Sequence, residues 1–412
     1  MSRSWKNSAA MRVKPTPSQK SRLSKAFDRP RVALIFETSN AYARAVIQGI
    51  FAYARENTPW AFSLAEQGHS DAAPEWLKDW EGDGIIARIK NRRIAETVLA
   101  SGLPAVDLSI GRHLPSLPAV GSDDLAIARL AADHFLQRGF KHFAYCGFDA
   151  FMLSTRRGDA FRRTLAAAGH GCCEFETQLK PGAAVSARVA EIGEWLKTLP
   201  KPLAIFACHD LCGQHVLDAC YQTGLSVPEE AAVLGVDNDE FLCEMTTPPL
   251  SSVIPNARRT GYEAARLLDR MIHGAKVPPL ETWIEPLSVR LRQSTDILAV
   301  NDAQVATALR FIREHVCKPI SADDVARAAH LPRRNLEKRF RRLLNRTLHD
   351  EVLSVRLNRV KQLLTETRLS LEQIAEAMNY EHPEYLSVVF KREVGTSPRE
   401  YRRRHIQGHY VS

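Results

Sequence analysis

The stretch DDVARAAHLPRRNLEKRFRRLL (323–344) decides the fold of the C-terminal part, because LEQIAEAMNYEHPEYLSVVFKREV (371–394) repeats its pattern. Each copy reads as a short amphipathic helix, a brief turn and a longer amphipathic helix. The corresponding residues are Val325 and Ile374, Ala326 and Ala375, and Ala329 and Met378 at an offset of 49, then Leu336 and Leu386, and Phe340 and Phe390 at an offset of 50. We therefore predict two helix-turn-helix units, at about 322–343 and 371–394.

The segment between the two copies, HDEVLSVRLNRVKQLLTE (349–366), carries one apolar stripe at helical spacing. It predicts a rigid helix that connects the units within an all-α region spanning 304–405. Two second helices held about one turn of DNA apart, roughly 34 Å, would reach successive major grooves of double-stranded DNA. The alternative is a plain helical bundle with a solvated basic face.

The second helix of each predicted unit supplies the candidate DNA-binding residues. Arginine, lysine and asparagine donate to phosphates and base edges, glutamate accepts from cytosine, and an apolar side chain contacts the thymine methyl group. In the first copy the candidates are Arg333, Arg334, Asn335, Lys338, Arg339 and Arg342, and in the second copy they are His382, Glu384, Tyr385, Ser387, Val388 and Lys391.

The net charge of +9 is unevenly distributed along the 412 residues. Residues 1–30 and 301–412 are both strongly basic, whereas residues 31–300 carry more acidic than basic side chains. Basic ends around an acidic middle suit a chain that meets a polyanion with one part and a small molecule with another. The first 30 residues are rich in Ser, Pro, Lys and Arg and predict a disordered basic arm. Residues 406–412 are predicted to be a short tail.

Residues 31–294 alternate short apolar runs with amphipathic helices. The runs include RVALIF (31–36), LAIFAC (203–208) and AAVLGVD (231–237), each followed by a segment of helical period. Strands that are apolar throughout are typical of parallel sheets covered on both faces. The length exceeds one doubly wound domain, so we predict two α/β lobes, with 295–303 as the linker to the helical region.

Polar residues just after these apolar runs are the candidates for ligand binding, because ligands of open α/β sheets lie at the carboxyl ends of the strands. Carboxylates, guanidinium groups and an aromatic ring are the groups that bind a polyhydroxylated sugar. The other interpretation is that many of these side chains are helix caps. The candidates are Glu37, Tyr42, Arg44, Asp123, Arg157, His209, Asp210 and Asp237.

Several classes of protein lack support in the sequence. The eight cysteines lie mostly in apolar runs without zinc-ligand spacing, so we predict reduced core cysteines in a cytoplasmic protein and no metal site. No apolar stretch is long enough to span a membrane. There is no phosphate loop, dinucleotide fingerprint or nucleophile elbow, so we expect no cofactor and no catalytic residues.

The last ~110 residues resemble the AraC/XylS family of bacterial regulators. The motifs that carry the resemblance are DDVARAAHLPRRNLEKRF, RLNRVKQLL and FKREVGTSPREYR (390–402), of which the last is highly specific. The resemblance implies a double helix-turn-helix domain. It also implies base-reading positions near Arg334 and Lys338 in the first copy and near Glu384 and Val388 in the second.

The region ahead of it resembles the periplasmic-binding-protein fold of LacI/GalR regulators, in which two lobes close on an effector. The matching pieces are GDGIIA (82–87), VGSDD (120–124), TRRGDAF (155–161) and PPLSSV (248–253), with the stretch from 207 to 240. Position by position, the resemblance implies sugar contacts from Asp123, Arg157, the pair His209 and Asp210, and Asp237.

The order of the two parts narrows the resemblance to sugar-operon regulators that join both families. It implies D-xylose as effector, a homodimer formed through the α/β domain, and transcription activation together with RNA polymerase. We therefore expect a sugar-responsive, DNA-binding transcription activator and not an enzyme. Two alternatives stay open: a sugar-metabolising enzyme on the α/β fold, and a DNA-binding protein that responds to no effector.

Overall fold

The computed structural model describes residues 29–66, 75–109, 111–148, 152–177, 183–297, 302–344, 346–367, 369–380 and 382–407. Nearly all of the predicted basic arm and residues 408–412 of the predicted tail lie outside the described residues. So do residues 298–301 of the predicted linker. The described chain forms two units, one of residues up to Asp123 with Asn256–Glu285, and one of Asp124–Pro255 with the residues from Pro286 onward.

Twelve strands and fifteen helices are described. The strands are β1 Arg31–Phe36, β2 Ala61–Glu66, β3 Gly84–Ala87, β4 Ala105–Asp107, β5 Ala119–Ser122, β6 His142–Cys146, β7 Cys173–Glu174, β8 Leu203–Ala207, β9 Ala231–Val236, β10 Ser251–Ile254, β11 Glu281–Ile284 and β12 Ser288–Arg290. The helices are α1 Ala41–Glu56, α2 Arg92–Ala100, α3 Asp124–Leu136, α4 Met152–Ala167, α5 Val185–Lys197, α6 Asp210–Thr223, α7 Glu240–Met245, α8 Ala257–Ile272, α9 Ala303–Glu314, α10 Ala322–Ala328, α11 Arg333–Leu344, α12 Leu348–Glu366, α13 Leu371–Ala377, α14 Pro383–Val394 and α15 Pro398–Gln407. Short 3-10 turns cover Glu75–Asp79 and Gln293–Thr295.

The first unit contains a six-stranded sheet in the order β11-β5-β4-β3-β1-β2, with every neighbouring pair parallel. Alternate residues of β1 face opposite sides of this sheet, as the pleat requires. Leu34 packs into the cluster that includes α1 and α8, and Ile35 packs into the cluster that includes α2. Both faces of the sheet are therefore covered, which is why residues 32–36 of the strand are all apolar and buried.

Helices α1 and α8 of the first unit touch through two glycines. A Cβ atom on Gly49 would lie 2.0 Å from the carbonyl oxygen of Arg258, and a Cβ atom on Gly261 would lie 1.9 Å from that of Val46. Neither distance is compatible with a side chain, so the two backbones approach each other only because both positions are glycine.

The second unit contains a six-stranded sheet in the order β12-β10-β9-β8-β6-β7, in which only the β10–β12 pair is antiparallel. Strands β8 and β9 are buried along their whole length. The sequence prediction of two α/β lobes with mostly parallel sheets is confirmed by these two sheets. The helices α9 to α15 follow within the second unit, where the prediction placed an all-α region.

The internal repeat is confirmed in the helical region. The paired residues of both copies are buried, and they are Val325, Ala326, Ala329, Leu336 and Phe340 in the first copy and Ile374, Ala375, Met378, Leu386 and Phe390 in the second. The turns correspond as well, because His330 has φ 53° and Asn379, 49 positions later, has φ 55°. Each unit thus turns through one left-handed residue between its two helices.

Ser321, Thr347 and Ser370 begin α10, α12 and α13 with capping boxes, in which the N-cap side chain and the third helical residue exchange hydrogen bonds. The predicted connecting helix, 349–366, corresponds to α12. Its Leu357, Val360 and Leu364 join the core of the second helix-turn-helix unit.

Candidate DNA-binding and effector sites

Helix α11 buries one face and presents basic residues on the other. Leu336, Phe340 and Leu344 are buried, because they pack in the core of the first helix-turn-helix unit. Four of the predicted DNA-binding residues are exposed and take part in no ion pair within the described ranges, namely Arg334, Asn335, Lys338 and Arg342. A spacing of four residues places Arg334, Lys338 and Arg342 along one side of the helix.

The structure shows that the other two predicted side chains of α11 have intramolecular partners. Arg333 forms ion pairs with Glu337 at 2.9 Å and with Asp323 at 3.3 Å. Arg339 donates to the Asp302 carboxylate at 2.8 Å and to the Gln304 amide oxygen at 2.8 Å. Arg339 thereby ties α11 to the start of α9.

Helix α14 presents a different surface. Among the predicted residues, the N-cap His382 and the helical Glu384 and Lys391 are exposed, and Ser387 is half-buried. Tyr385 and Val388 are also exposed, whereas the buried apolar residues of the same helix are Leu386, Val389 and Phe390. The exposed face of α14 therefore carries Tyr385 and Val388, whereas the exposed face of α11 carries polar side chains.

In the first unit, the predicted ligand-binding residues cluster at the carboxyl ends of β1 and β5. The Glu37 carboxylate accepts from the Lys90 ammonium at 2.6 Å and from the Ser39 hydroxyl at 2.8 Å. Lys90 was not predicted from the sequence, because it lies 53 residues away from its partner. Asp123 follows β5, and its backbone N–H donates to the Ile284 carbonyl at 2.9 Å.

The loop after β1 is held by hydrogen bonds of Arg44 and Tyr42. The Arg44 guanidinium donates to the carbonyls of Thr38 and Ser39 at 2.9 and 2.8 Å. The Tyr42 hydroxyl accepts from the Ser122 hydroxyl at 3.0 Å and so links the first turn of α1 to the end of β5. The four predicted residues of this unit therefore lie in the segments that follow β1 and β5, without a bond among them in these contacts.

In the second unit, Arg157 is buried, with 2% of its surface exposed. Its Nε atom donates to Asp124 at 2.9 Å, and another of its nitrogens donates to the Cys208 carbonyl. Burial alone would lower the pKa of Arg157, but the negative charges of Asp124 and Asp237 outweigh it and raise the pKa. Arg157 is therefore charged and held in one orientation.

Asp210 is also buried, and both of its oxygens accept hydrogen bonds. The Ser252 hydroxyl donates to one oxygen at 2.6 Å, and the Asp239 backbone N–H donates to the other at 2.7 Å. Burial and the nearby charge of Asp237 both raise the pKa of Asp210. Through the hydrogen bond from Asp239, Asp210 holds the loop that follows β9.

That loop has an unusual backbone conformation at Asp237 and Asn238, whose φ angles are 108° and 48°. Non-glycine residues in the left-handed region are rare, and they concentrate at ligand sites where the surrounding structure holds them. Asp237 interacts electrostatically with both Arg157 and Asp210, so the structure brings these three predicted residues together.

His209 caps the first turn of α6, as the helix-cap interpretation allowed. Its Nδ1 atom accepts from the Cys212 backbone N–H at 3.1 Å, so Nε2 carries the ring proton. The ring lies 5.1 Å from that of Phe148, and the Arg188 guanidinium lies 4.9 Å from the Phe148 centroid. His209, which precedes Asp210 in the chain, is therefore grouped with the Phe148 ring and the Arg188 guanidinium.

Metal ligands and membrane spans were searched over the described ranges. No group of three or more His, Cys, Asp or Glu residues there could hold a metal ion. No helix in the same ranges is long and apolar enough to cross a membrane.

Three family profiles match the chain in succession. The XylR N-terminal domain matches residues 31–121, a periplasmic binding protein-like domain matches 132–295, and a helix-turn-helix domain matches 325–404. The predicted periplasmic-binding-protein-like fold, followed by a helix-turn-helix domain, is therefore confirmed.

Similar proteins of known name extend over most of the chain. The xylose operon regulatory protein of Escherichia coli (strain K12) is 32% identical over 385 residues, which are 91% of this chain and 97% of that protein. The protein of the same name from Haemophilus influenzae is 30% identical over 90% of this chain and 98% of its own length.

Among solved structures, one described as the xylose-binding transcription activator XylR superposes with a TM-score of 0.78 at 29% identity. It covers 91% of this chain and 98% of that chain. A complex of the transcriptional regulator CelR with cellobiose has a TM-score of 0.53 at 23% identity over 68% of this chain and 92% of its own, and shows the fold alone.

The curated relatives are transcription regulators and not enzymes, so the sugar-metabolising enzyme is set aside. The chain belongs to the family of xylose operon regulatory proteins, which are DNA-binding transcription regulators.

Proposed function

We propose that this protein is a transcription activator that binds D-xylose in its α/β domain and operator DNA through α11 and α14. The observation that carries the sugar site is the cluster of Arg157, Asp210 and Asp237 at the carboxyl ends of the strands in the second unit. The names of the relatives, which refer to xylose and to activation, support the choice of effector and the direction of regulation.

Each unit has its own proposed ligand-binding residues. In the second unit the proposed sugar-binding residues are Arg157, His209, Asp210 and Asp237, and the charge of Asp237 acts on both Arg157 and Asp210. In the first unit the proposed ligand-binding residues are Glu37, Tyr42, Arg44 and Asp123. A carboxylate accepts two sugar hydroxyls at once, which favours a ligand with neighbouring hydroxyl groups.

Calorimetry on the full chain tests the sugar site. We expect heat on titration with D-xylose, less or none with D-glucose, and a loss of at least tenfold in affinity for Asp237→Ala. Glu194→Ala is the matched control, because Glu194 is an exposed carboxylate of the same unit, with 75% of its side chain exposed. No binding of D-xylose or of any other pentose would refute the effector.

The proposed DNA-binding residues are the predicted residues of α11 and α14, and Arg333 and Arg339 also act through their ion pairs. They are Arg333, Arg334, Asn335, Lys338, Arg339 and Arg342 on α11 and His382, Glu384, Tyr385, Ser387, Val388 and Lys391 on α14. The domains that we propose are an effector domain of 31–294, a linker of 295–303 and a DNA-binding domain of 304–405.

Operator binding with and without D-xylose distinguishes this proposal from a DNA-binding protein that responds to no effector. We expect tighter binding when the sugar is present, and equal affinities would favour the alternative. We further propose a homodimer joined through the α/β domain, contact with RNA polymerase at the promoter, and a cytoplasmic location. Sedimentation of the full chain and transcription in vitro with purified polymerase test the first two.

A further inference from the structure

Two large apolar side chains of α14 point away from the core of their own domain. Tyr385 is 62% exposed and Val388 is 64% exposed. They are three residues apart, and Glu384 and Lys391 lie within one turn of them, so all four share one side of the helix. Single exposed apolar residues are common on protein surfaces, but an adjacent pair on a recognition face calls for a partner.

The internal repeat gives the pair a direct comparison within the same chain. At the offset of 50 that relates the two longer helices, Glu384 corresponds to Arg334, Tyr385 to Asn335 and Val388 to Lys338. The buried residues keep their character at this offset, since Leu336 and Leu386 are both fully buried. The core has therefore stayed the same while the exposed face changed from donors to apolar groups and a carboxylate.

Tyr385 is supported from one side by its neighbours. Its ring lies 6.2 Å from that of Tyr380, and the Arg356 guanidinium lies 4.5 Å from the Tyr380 centroid. Arg356 also donates to the Met378 carbonyl, which ends the preceding helix. Tyr380, which is held by Arg356, thus restricts the exposed Tyr385 ring on one side.

In the major groove, the group that an apolar side chain can recognise is the C5-methyl group of thymine. A glutamate at the same face disfavours phosphates and accepts from the amino group of cytosine. We propose that α14 reads thymine methyl groups through Val388 and Tyr385, whereas α11 binds its half-site through charged donors. This inference rests on the proposed assignment of both helices to operator DNA.

Replacement of thymine by deoxyuridine tests the inference, because it removes the methyl group and nothing else. Operator sequences are first selected from a random duplex library with the full chain, with and without D-xylose. Deoxyuridine is then placed at each thymine in turn. We expect about fourfold weaker binding for each methyl group that is read, confined to the half-site of α14.

Variants link the methyl effect to its residues. Val388→Ala should bind the selected operator more weakly and lose the response to at least one deoxyuridine, with an unchanged dependence on salt. Lys338→Ala should weaken operator binding but keep the deoxyuridine response, because Lys338 lies on α11. Tyr221→Ala is the matched control, because Tyr221 is 84% exposed and belongs to α6, which is not part of either helix-turn-helix unit.

The inference is overturned if operators are selected but no deoxyuridine weakens binding, or if Val388→Ala responds to deoxyuridine as the unchanged protein does. It is also overturned if Val388→Ala keeps full operator affinity but loses activation, which would assign the pair to RNA polymerase. A library that yields no shared sequence refutes the proposed DNA-binding function, and this inference with it.

Discussion

Arg334 and Lys338 are the exposed donors of α11 that lie one turn apart on the same side. We expect Arg334→Ala and Lys338→Ala each to weaken specific operator binding by about 1–3 kcal/mol. Arg333→Ala should have a smaller effect, because Arg333 already pairs with Glu337 and Asp323. Electrophoretic mobility shifts at fixed salt measure the three affinities.

Arg327→Ala serves as the control for these variants, since Arg327 is exposed on α10 and pairs with Asp324. If Arg334→Ala and Lys338→Ala both bind the operator like the unchanged protein, α11 does not read DNA with this face.

Arg157 and Asp124 form a buried ion pair, with 3% and 2% of their side chains exposed. Removing the Arg157 cation takes the 2.9 Å ion-pair partner from a carboxylate in a low-dielectric site, so Arg157→Met should destabilise the protein by about 3–5 kcal/mol. The double variant Asp124→Asn with Arg157→Met should recover part of this loss. Thermal unfolding of the full chain compares the variants, and a double variant no more stable than the single one would contradict the pairing.

At the scale of elements, the segment after β12 is fastened to the second unit by a directed chain of hydrogen bonds. The Ser251 hydroxyl donates to the Arg292 carbonyl at 2.9 Å, and the Thr295 hydroxyl donates to Ser251 at 2.8 Å. The Thr295 hydroxyl has then used its proton, so the His134 Nε2–H must donate to it, at 2.9 Å. Thr295, the first residue of the predicted linker, is therefore fully buried and fixed.

The buried His134 in this chain of hydrogen bonds makes the stability of the protein depend on pH. Burial, with a smaller contribution from Arg138, lowers the pKa of His134 from 6.5 to about 3. Below pH 6.5 the unfolded chain takes up a proton that the folded chain refuses, so stability is complete above that pH and falls as the pH decreases toward 3. At pH 5 the loss from this group is about 2 kcal/mol.

His134→Gln should remove that part of the acid sensitivity, because an amide can still donate to Thr295 without titrating. The decrease in melting temperature between pH 7 and pH 5 measures it. His273→Gln is the control, since 61% of the His273 side chain is exposed. Equal decreases in both variants would show that His134 does not titrate in this way.

Helix α9 docks on the loop between α6 and β9 of the same unit. Arg313 donates to the Glu229 carboxylate at 2.7 Å, and Arg310 donates to the Ser226 hydroxyl at 2.8 Å. Burial raises the pKa of Glu229, and the Arg313 charge opposes that rise. The contact joins the first helix of the DNA-binding region to the α/β domain.

Arg313→Met should loosen this junction, so that D-xylose changes operator affinity less than in the unchanged protein while binding of the sugar itself is retained. Titrations of operator with and without sugar, and of sugar alone, separate the two effects. Arg327→Met, in which an ion pair of a 78% exposed arginine is lost, is the control. An unaltered response to sugar would show that the ion pair does not couple the two activities.

At the scale of the whole molecule, sugar and operator binding are linked by one free energy. If D-xylose tightens operator binding, the operator must tighten D-xylose binding by the same factor, and couplings of this kind are about 5–150-fold. Calorimetry of the sugar titration with and without bound operator duplex checks this. A factor of one would favour the effector-independent alternative.

The sequence by itself determined the architecture. Repeats at offsets of 49 and 50 predicted both helix-turn-helix units, and apolar runs such as 31–36 predicted the buried parallel strands. These features could be read because they depend on local periodicity, which every residue of an element contributes to.

Tertiary structure alone decided which candidate side chains are held by intramolecular partners. Arg157 is held by Asp124, Glu37 by Lys90, and Arg339 by Asp302. The touching helices at Gly49 and Gly261 were equally hidden, and so was the burial of Thr295. The partners in these contacts lie tens to hundreds of residues apart in the chain, and no local pattern records a contact that forms only when the chain is folded.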